Sequence, residues 1–341
     1  MKVAFFNTHA FEKPYFVSGN QNYDQSITFL EPKLNEQTVE LARGHDCVCS
    51  FVYDHLNANV LNQLKEMGIR LIALRSAGFN HVDMQAAADL ELPIVRVPEY
   101  SPYAVAEHAV ALILSLNRKI YQSISRVREN NFSLDGLVGF DLHNKTVGIV
   151  GTGKIGSVMA KIMKGFGCRI LAYDIAPNAE LAMNLGIEYV EFPHLLRDSD
   201  IVTLHVPLTP KTHHMIDMPA FVQMKSKVML INTGRGGLVD TKALIQALKN
   251  ERIGYAGLDV YEEEEGIFFE NLSGRVQQDD QLARLMTFPN VLITSHQAFL
   301  THEALRNISQ TTLQNILDFE QGRKLFNQVH AETHVEKEIR K

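Results

Sequence analysis

The chain has 341 residues, more than most single hydrophobic cores contain, which predicts two compact domains. A hydrophobic fraction of 45%, with no long uncharged apolar run, predicts a cytoplasmic protein that is neither secreted nor inserted into a membrane. The net charge is -6 and the basic residues are scattered, so a nucleic-acid partner is not expected.

The first hundred residues alternate short apolar segments with amphipathic ones. Strands are predicted at 2–6, 47–51 and 70–74, and a helix at 57–67. This alternation is typical of an α/β domain with a parallel sheet. The three cysteines, Cys47, Cys49 and Cys168, have neither the number of a disulfide framework nor the spacing of metal ligands, so reduced core thiols and no metal site are predicted.

A proline-containing break at residues 98–102 precedes a helical segment at 103–120 and marks a domain boundary. A second alternating series begins at Lys145. Its strand candidates are 146–150, 169–173, 201–205, 228–232, 255–259 and 291–295. Six strands separated by helical segments predict a doubly wound parallel sheet.

The segment 262–280 is predicted to form a long irregular loop, and its acidic run to be a solvated face. A helix is predicted at 301–322, and we expect it to pack on the first domain. The predicted domains are therefore 1–100 with 300–341, and 101–299.

The strongest motif is a glycine-rich turn that follows the strand at 146–150. Gly151, Gly153 and Gly156 form G-x-G-x-x-G between that strand and an amphipathic helix, which is the setting of a dinucleotide-binding turn. The first glycine permits the tight turn, the second lets pyrophosphate approach the backbone, and the third allows close packing of the helix. The helix N-terminus then faces the phosphate charge.

The strand at 169–173 is followed by Asp174, roughly 20 residues past the first glycine of the turn. A carboxylate at this position accepts hydrogen bonds from ribose hydroxyls and repels a 2′-phosphate. The sequence therefore predicts NAD rather than NADP as cofactor. The alternative is that Asp174 is a polar loop residue that caps a turn.

Chemically reactive residues follow three later strands of the second series. Arg235 comes after the strand at 228–232, Asp259 and Glu264 after the next, and His296 after the last. Ligands bind at the carboxyl ends of the strands in open parallel sheets. Reduction of a 2-oxo acid needs a guanidinium for the carboxylate, an imidazolium as proton donor and a carboxylate to orient that imidazole.

Each of these residues also has an ordinary structural interpretation. Arg235 could belong to a surface turn, His296 could be a satisfied core histidine, and Glu264, in a run of four glutamates, could be solvated. Their shared position at strand ends favours the catalytic interpretation.

Several motifs in register resemble the D-isomer-specific 2-hydroxyacid dehydrogenase family. These are the glycine turn, HVPLT at 205–209, INTGRGG, LDVYEEE and TSHQAF, together with LRSAGFNHVD and PEYSPYAVAEHA nearer the start. Within the family, HQAFLT, NRKI and NFSLDGL are most similar to bacterial fermentative D-lactate dehydrogenases. The resemblance implies a Rossmann NAD-binding domain inserted in a flavodoxin-like substrate domain.

The resemblance also implies roles for individual residues. Arg235 would bind the substrate carboxylate, His296 would donate the proton, and Glu264 would be its partner, as the pattern D-V-[FY]-x-x-E selects it over Glu262 and Glu263. Substrate contacts would come from backbone amides at Ala77 and Gly78 and from walls formed by Phe51, Tyr100 and Phe299. Cofactor contacts would come from Lys154, Ile155, Val206, Pro207, Thr233 and Gly234, with Asp259 at the nicotinamide carboxamide.

The favoured function is reversible, NAD-dependent reduction of pyruvate to D-lactate by a homodimer or homotetramer. The oligomer is expected on the larger domain, since the long apolar helix from Tyr103 has more hydrophobic surface than one domain needs. The alternatives are a dehydrogenase for another D-2-hydroxy acid, such as hydroxyisocaproate or glycerate, and a non-catalytic protein that senses NAD.

Overall fold

The computed structural model describes residues 1–331. This part of the chain divides into two compact units, one formed by Met1–Ser101 with the segment from Leu300 onward, and the other by Pro102–Phe299. The part of the predicted segment 300–341 that follows residue 331 lies outside the described residues.

The described residues form thirteen strands and twelve α-helices. The strands are β1 (Lys2–Phe5), β2 (Ser26–Phe29), β3 (Cys47–Ser50), β4 (Leu71–Leu74), β5 (Ile94–Val95), β6 (Thr146–Val150), β7 (Arg169–Tyr173), β8 (Glu188–Tyr189), β9 (Ile201–Leu204), β10 (Val228–Asn232), β11 (Ile253–Leu258), β12 (Val291–Ile293) and β13 (Gln328–Val329). The helices are α1 (Lys13–Gly19), α2 (Ala58–Glu66), α3 (Met84–Asp89), α4 (Pro102–Asn117), α5 (Ile120–Arg128), α6 (Lys154–Gly165), α7 (Ala179–Leu185), α8 (Phe192–Asp198), α9 (Met218–Gln223), α10 (Thr241–Lys249), α11 (Asp280–Met286) and α12 (His302–Glu320).

The first unit contains a six-stranded sheet in the order β13-β5-β4-β3-β1-β2. Its strands are parallel except for β13, which pairs antiparallel with β5 at the edge. The sequence predicted β1, β3 and β4, which have buried cores. It did not predict β2, β5 and β13, because two of these strands are only two residues long and β2 is only half-buried.

Local sequence explains where the helices of this unit begin. The Asn57 side chain accepts from the Val60 amide and caps α2, whose buried face contains Val60, Leu61 and Leu64. The long helix α12 contacts α1 and β4, so the helix predicted at 301–322 packs within the first unit.

The second unit contains a seven-stranded, wholly parallel sheet in the order β12-β11-β10-β9-β6-β7-β8. The six strands predicted from sequence are all present. The seventh, β8, was missed because it is a two-residue edge strand. Since all seven strands run in one direction, the residues that follow them lie along the same side of the sheet, at the carboxyl ends of the strands.

The helical segment predicted at 103–120 is present as α4, which ends at Asn117, and a second helix, α5, begins at Ile120. Arg118 and Lys119 separate α4 from α5, and Lys119 takes a left-handed backbone conformation with φ of 50°. The cause is a tertiary contact: the buried side chain of Asn117 donates to Phe140 O at 2.7 Å and accepts from Phe140 N at 2.8 Å.

Candidate active site

The glycine turn lies between β6 and α6. Gly151 has φ of 91°, and a Cβ there would come within 2.7 Å of His205 O, so both its conformation and its surroundings require glycine. A Cβ on Gly156 would lie 1.9 Å from Gly151 O, which shows how closely the helix packs on the turn. Gly153 and Lys154, by contrast, are exposed, and Ile155 is half-buried. The N-terminus of α6 is therefore accessible to a ligand.

Asp174 lies beside this turn, at the carboxyl end of β7. Its Oδ2 accepts from Thr152 N at 2.6 Å and from Thr152 Oγ1 at 3.0 Å, and its Oδ1 accepts from Ala176 N at 2.9 Å. The carboxylate is thus fixed next to the glycine turn. A hydrogen bond to a ribose hydroxyl would be made in addition to these contacts within the protein.

The segment after β9 runs past the glycine turn on its other side. His205 N donates to Val150 O at 2.7 Å, and Val206 packs close to Gly151. Val206 is half-buried and Pro207 is exposed. These two residues, predicted to contact the cofactor, are therefore next to the turn in the fold.

Burial lowers the pKa of the His205 imidazole from 6.5 to about 4, and its Nε2 lies 2.9 Å from Thr203 Oγ1. Because the unfolded chain binds a proton at a higher pH than the folded chain, stability present above pH 6.5 is lost as pH falls toward 4. We expect His205 to contribute up to about 3 kcal/mol to this decrease in the free energy of unfolding.

Urea unfolding at pH 7 and pH 4.5 measures this loss. In His205→Gln, which cannot take up the proton, the decrease between the two pH values is expected to be smaller than in the wild type. Equal decreases in the two proteins would contradict the assignment.

The turn after β10 holds the predicted carboxylate-binding arginine. Asn232 organises it, since its Nδ2 donates to Arg235 O at 2.9 Å and its Oδ1 accepts from Gly234 N at 3.1 Å. The half-buried Arg235 guanidinium donates from Nη1 to Gly234 O at 2.8 Å. Thr233 Oγ1 is buried and has no hydrogen-bond partner within residues 1–331, so a polar partner for it would have to come from a ligand or water.

The structure brings His296 and Glu264 together after β12 and β11. His296 Nδ1 lies 2.8 Å from Glu264 Oε1, and the other carboxylate oxygen of Glu264 accepts from Tyr261 N at 3.0 Å. Both side chains are largely buried. His296 has a left-handed backbone with φ of 53°, and its amide donates to Asp259 O at 2.7 Å. The ring is therefore held through Nδ1, and Nε2 is the nitrogen that does not face Glu264.

Asp259 is fully buried and makes a network that sequence reasoning did not identify. Its Oδ1 accepts from Thr294 Oγ1 at 2.6 Å and from Gln297 N at 2.9 Å, its Oδ2 accepts from Ala298 N at 2.9 Å, and His108 Nε2 lies 3.3 Å away. Burial acts to raise the pKa of Asp259, but the hydrogen bonds from His108, Thr294 and Ala298 outweigh it, so the pKa is lowered. Asp259 thus anchors the chain on both sides of His296.

One of the substrate residues predicted in the first unit, Phe51, packs on a buried arginine. Arg75 donates from Nε and Nη2 to the two oxygens of Glu12 at 2.8 and 2.9 Å, and its Cζ lies 4.7 Å from the centroid of the Phe51 ring. Phe51 is buried in this packing. Arg75 lies within the motif LRSAGFNHVD, and nothing in the sequence indicates that Glu12 would neutralise it.

The loop after β4 is fixed by side-chain contacts to its carbonyl groups. Arg96 Nη1 donates to Ala77 O at 2.7 Å, and Ser76 Oγ donates to Gly78 O at 2.7 Å. Tyr100 O accepts from Asn307 Nδ2 at 2.6 Å.

In the second unit, Phe299 is half-buried and packs edge-to-face on Phe269, with centroids 6.4 Å apart.

Comparison with known proteins identifies this arrangement. The sequence model described as "D-isomer specific 2-hydroxyacid dehydrogenase, NAD binding domain" matches residues 110–298. D-lactate dehydrogenase of Escherichia coli is 49% identical over 329 residues, covering 96% of this chain and all of the relative. The chain belongs to the D-isomer-specific 2-hydroxyacid dehydrogenase family.

Two solved structures of this dehydrogenase family extend the comparison. The pyruvate reductase of Chlamydomonas reinhardtii has a TM-score of 0.90 and 46% identity, covering 96% of this chain and 98% of that one. A D-2-hydroxyisocaproate dehydrogenase has a TM-score of 0.85 and 30% identity, covering 96% and 99%. The predicted family, the two α/β domains and the Rossmann fold of the second unit are thereby confirmed.

The second unit is the NAD-binding domain of the dehydrogenase family, and its residues fit that cofactor. The accessible N-terminus of α6 suits a pyrophosphate, and the orphaned Thr233 hydroxyl at the end of β10 offers a polar contact. None of the helices within residues 1–331 is both long and apolar enough to span a bilayer.

Proposed function

We propose that the protein reduces pyruvate to D-lactate with NADH and catalyses the reverse oxidation with NAD. The observation that carries the proposal is the hydrogen-bonded pair of His296 and Glu264 at the sheet edge that also holds Arg235. The names of two relatives, a D-lactate dehydrogenase and a pyruvate reductase, support pyruvate and D-lactate as the substrate pair.

Each of the candidate residues would have a separate role in the reaction. Arg235 would bind the substrate carboxylate through two parallel hydrogen bonds. The backbone amides of Ala77 and Gly78 remain predicted substrate contacts. His296 would give a proton from Nε2 to the carbonyl oxygen, and take it back during lactate oxidation. Glu264 would fix the tautomer and orientation of the ring. The bound cofactor supplies or accepts the hydride.

The cofactor would be held by the glycine turn with Lys154 and Ile155, and by Val206, Pro207 and Thr233 at the neighbouring strand ends. Gly234 and Asp259 remain predicted contacts of the nicotinamide. Both oxygens of Asp259 already accept from protein groups, so a contact with the carboxamide would be made in addition to them.

A substrate panel tests the proposed function. Pyruvate, glyoxylate, hydroxypyruvate, phenylpyruvate and 2-oxo-isocaproate are each assayed with NADH, and the pyruvate product is resolved on a chiral column. We expect the highest kcat/KM for pyruvate and a D-lactate product. A higher value for 2-oxo-isocaproate or hydroxypyruvate would assign another D-2-hydroxy acid, and binding of NADH without any turnover would indicate an NAD-sensing protein.

Asp174→Ala tests the cofactor preference. The carboxylate places negative charge where NADPH carries its extra phosphate, so the wild type is expected to favour NADH and the variant to favour it less. The measurement is kcat/KM for both cofactors. Because Asp174 also holds Thr152, the variant Thr152→Val serves as a control that perturbs the turn without removing charge. An unchanged cofactor ratio in Asp174→Ala would contradict the assignment.

We further propose a homodimer or homotetramer, located in the cytoplasm, where the three free, buried cysteines stay reduced. The surface that supports an oligomer differs from the predicted one, because most apolar residues of α4 are buried inside the second unit. Six exposed apolar side chains lie close together in the sequence, on α5 and the segment after it: Ile120, Ile124, Val127, Phe132, Leu134 and Val138.

Sedimentation tests the oligomer. At micromolar concentration the wild type is expected to sediment as a dimer or tetramer, and Ile124→Glu with Val127→Glu to sediment as a smaller species, because charge is introduced on the apolar face of α5. A wild-type monomer would reject the oligomer, and an unchanged species in the double variant would reject this surface.

A further inference from the structure

Two imidazoles and a carboxylate meet in the second unit, outside the residues assigned to the reaction. His213, His214 and Glu262 each present one ligand atom, and the three atoms lie within 4.8 Å of one another. The two imidazole rings are stacked with centroids 3.8 Å apart, and His214 Nε2 lies 2.5 Å from Glu262 Oε1. His213 is exposed and the other two are half-buried, so the cluster is accessible from solvent.

The backbone holds these side chains in place before any ligand binds. His214 has a left-handed conformation with φ of 52°, and its amide donates to Gly237 O at 2.8 Å. The turn that leads to it is closed by Thr212, whose Oγ1 donates to Pro207 O at 2.7 Å and accepts from Thr209 N at 2.8 Å. A non-glycine residue at positive φ costs stability, so this conformation is maintained by the hydrogen bonds around it.

The carboxylate is also oriented by its surroundings. Glu262 Oε2 accepts from Thr241 N at 3.3 Å, while Oε1 faces the imidazole of His214. The backbone that carries Glu262 packs directly on Gly236, where an added Cβ would lie 2.4 Å from Glu262 N. A ligand carboxylate that is itself hydrogen-bonded is the usual arrangement around protein-bound metals.

We propose that His213, His214 and Glu262 form a binding site for a divalent transition-metal ion of the zinc class. Two imidazoles and one carboxylate are a donor set that Zn²⁺ accepts with water in the fourth position, whereas Mg²⁺ and Ca²⁺ prefer oxygen ligands. Zn²⁺ lies about 2.0–2.2 Å from such donors, so side-chain adjustments of roughly 1 Å would complete the site. The metal displaces the proton that His214 shares with Glu262.

The sequence did not predict this site, because its residues come from the loops that follow β9 and β11. Those loops also lie close to the residues assigned to the reaction. Glu262 precedes Glu264 by two positions, and the His214 amide donates a hydrogen bond to Gly237 O, two residues after Arg235. A metal ion at the cluster would therefore brace the segments that carry Arg235 and Glu264.

Metal binding is tested on the full-length protein after dialysis against a chelator. Titration with Co²⁺, a coloured substitute for Zn²⁺, is expected to reach one equivalent per chain and to give the visible absorption of a tetrahedral nitrogen and oxygen site. Added Zn²⁺ is expected to displace Co²⁺ and to raise the Tm, because a ligand that binds only the folded state stabilises it.

Two variants locate the site. His213→Ala removes an exposed imidazole, and Glu262→Gln keeps the shape of the carboxylate while removing its charge. Loss of a group that only orients a ligand costs about 10–100-fold in affinity, so loss of a ligand is expected to cost at least that. The control is His194→Ala, which removes a surface imidazole that pairs with Asp198 at 3.0 Å and is expected to leave affinity unchanged.

Several results would overturn the proposal. These are uptake well below one equivalent by the wild type, equal affinity in the wild type and in both cluster variants, or an intense near-ultraviolet band that shows thiolate ligands. Because His213 is exposed, His213→Ala is expected to fold, and Glu262→Gln provides an independent readout if it does not. Substrate turnover is not needed for any of these measurements.

Discussion

His296→Ala is expected to lower kcat/KM for pyruvate by about 10²–10⁴-fold at every pH, which is the usual contribution of a positioned general acid. Pyruvate accepts a hydride readily only if its carbonyl oxygen receives a proton at the same time. In the wild type, Glu264 holds Nδ1 at 2.8 Å, so Nε2 is the ring nitrogen that we assign to the substrate. Alanine leaves no acid in that position.

The assay is steady-state turnover, and NADH binding is followed separately by fluorescence. NADH affinity is expected to stay close to that of the wild type, since the assigned cofactor residues are untouched. His194→Ala is the matched control, as it removes a histidine that also pairs with a carboxylate but lies on α8. Turnover by His296→Ala within a few-fold of the wild type would exclude His296 as the proton donor.

Glu264→Gln separates positioning of the ring from simple packing. The amide keeps the shape of the side chain but can present its NH₂ group to Nδ1 in place of an oxygen, so the tautomer and orientation of the ring are no longer fixed. The kcat/KM for pyruvate reduction is therefore expected to fall, while the variant remains folded and binds NADH. Turnover equal to that of the wild type would show that the 2.8 Å contact does not position His296.

The positions of the strands along the chain and of the reactive residues after them could be predicted because both depend on local patterns. Buried strands such as β6 and β10 consist of continuous apolar residues, and the glycine turn has requirements that only glycine meets. Since parallel strands end at one edge, placing Arg235, Glu264 and His296 after three strands was sufficient to expect them at the same edge.

The remaining features depend on contacts between distant parts of the chain. The break after α4 depends on the hydrogen bond from Asn117 to Phe140. The lowered pKa of Asp259 depends on its contacts with His108 and Thr294. Nothing in the sequence near either residue marks its partner. The short edge strands were missed for a related reason, since two residues carry too little periodicity to identify a strand.

The acidic run contains one glutamate whose partner could be predicted, Glu264, and one whose partner could not, Glu262. The resemblance to the family selected Glu264 from three neighbouring glutamates, and the structure brings Glu264 to His296. The same run was interpreted as a solvated face, yet Glu262 is half-buried and pairs with His214. Its partner lies on the loop after β9, which no local pattern connects to residue 262.

Arg235→Lys is expected to lose about 2–4 kcal/mol of transition-state stabilisation, which corresponds to roughly 30- to 1,000-fold in kcat/KM for pyruvate. Charge is retained, but an ammonium group cannot make two parallel hydrogen bonds to a planar carboxylate. The guanidinium is also positioned by its own turn, since Nη1 donates to Gly234 O and the backbone is tied to Asn232.

A matched control is available in the same unit. Arg252 donates from Nε to Phe221 O at 3.0 Å and from Nη2 to Val222 O at 2.7 Å, just before β11 and thus at the opposite edge of the sheet. Arg252→Lys makes the same chemical change there and is expected to alter stability but not kcat/KM. If Arg235→Lys turned over pyruvate as well as Arg252→Lys does, Arg235 would lie outside the site. A selective loss in Arg235→Lys, with unchanged NADH affinity, would place its guanidinium on the substrate carboxylate.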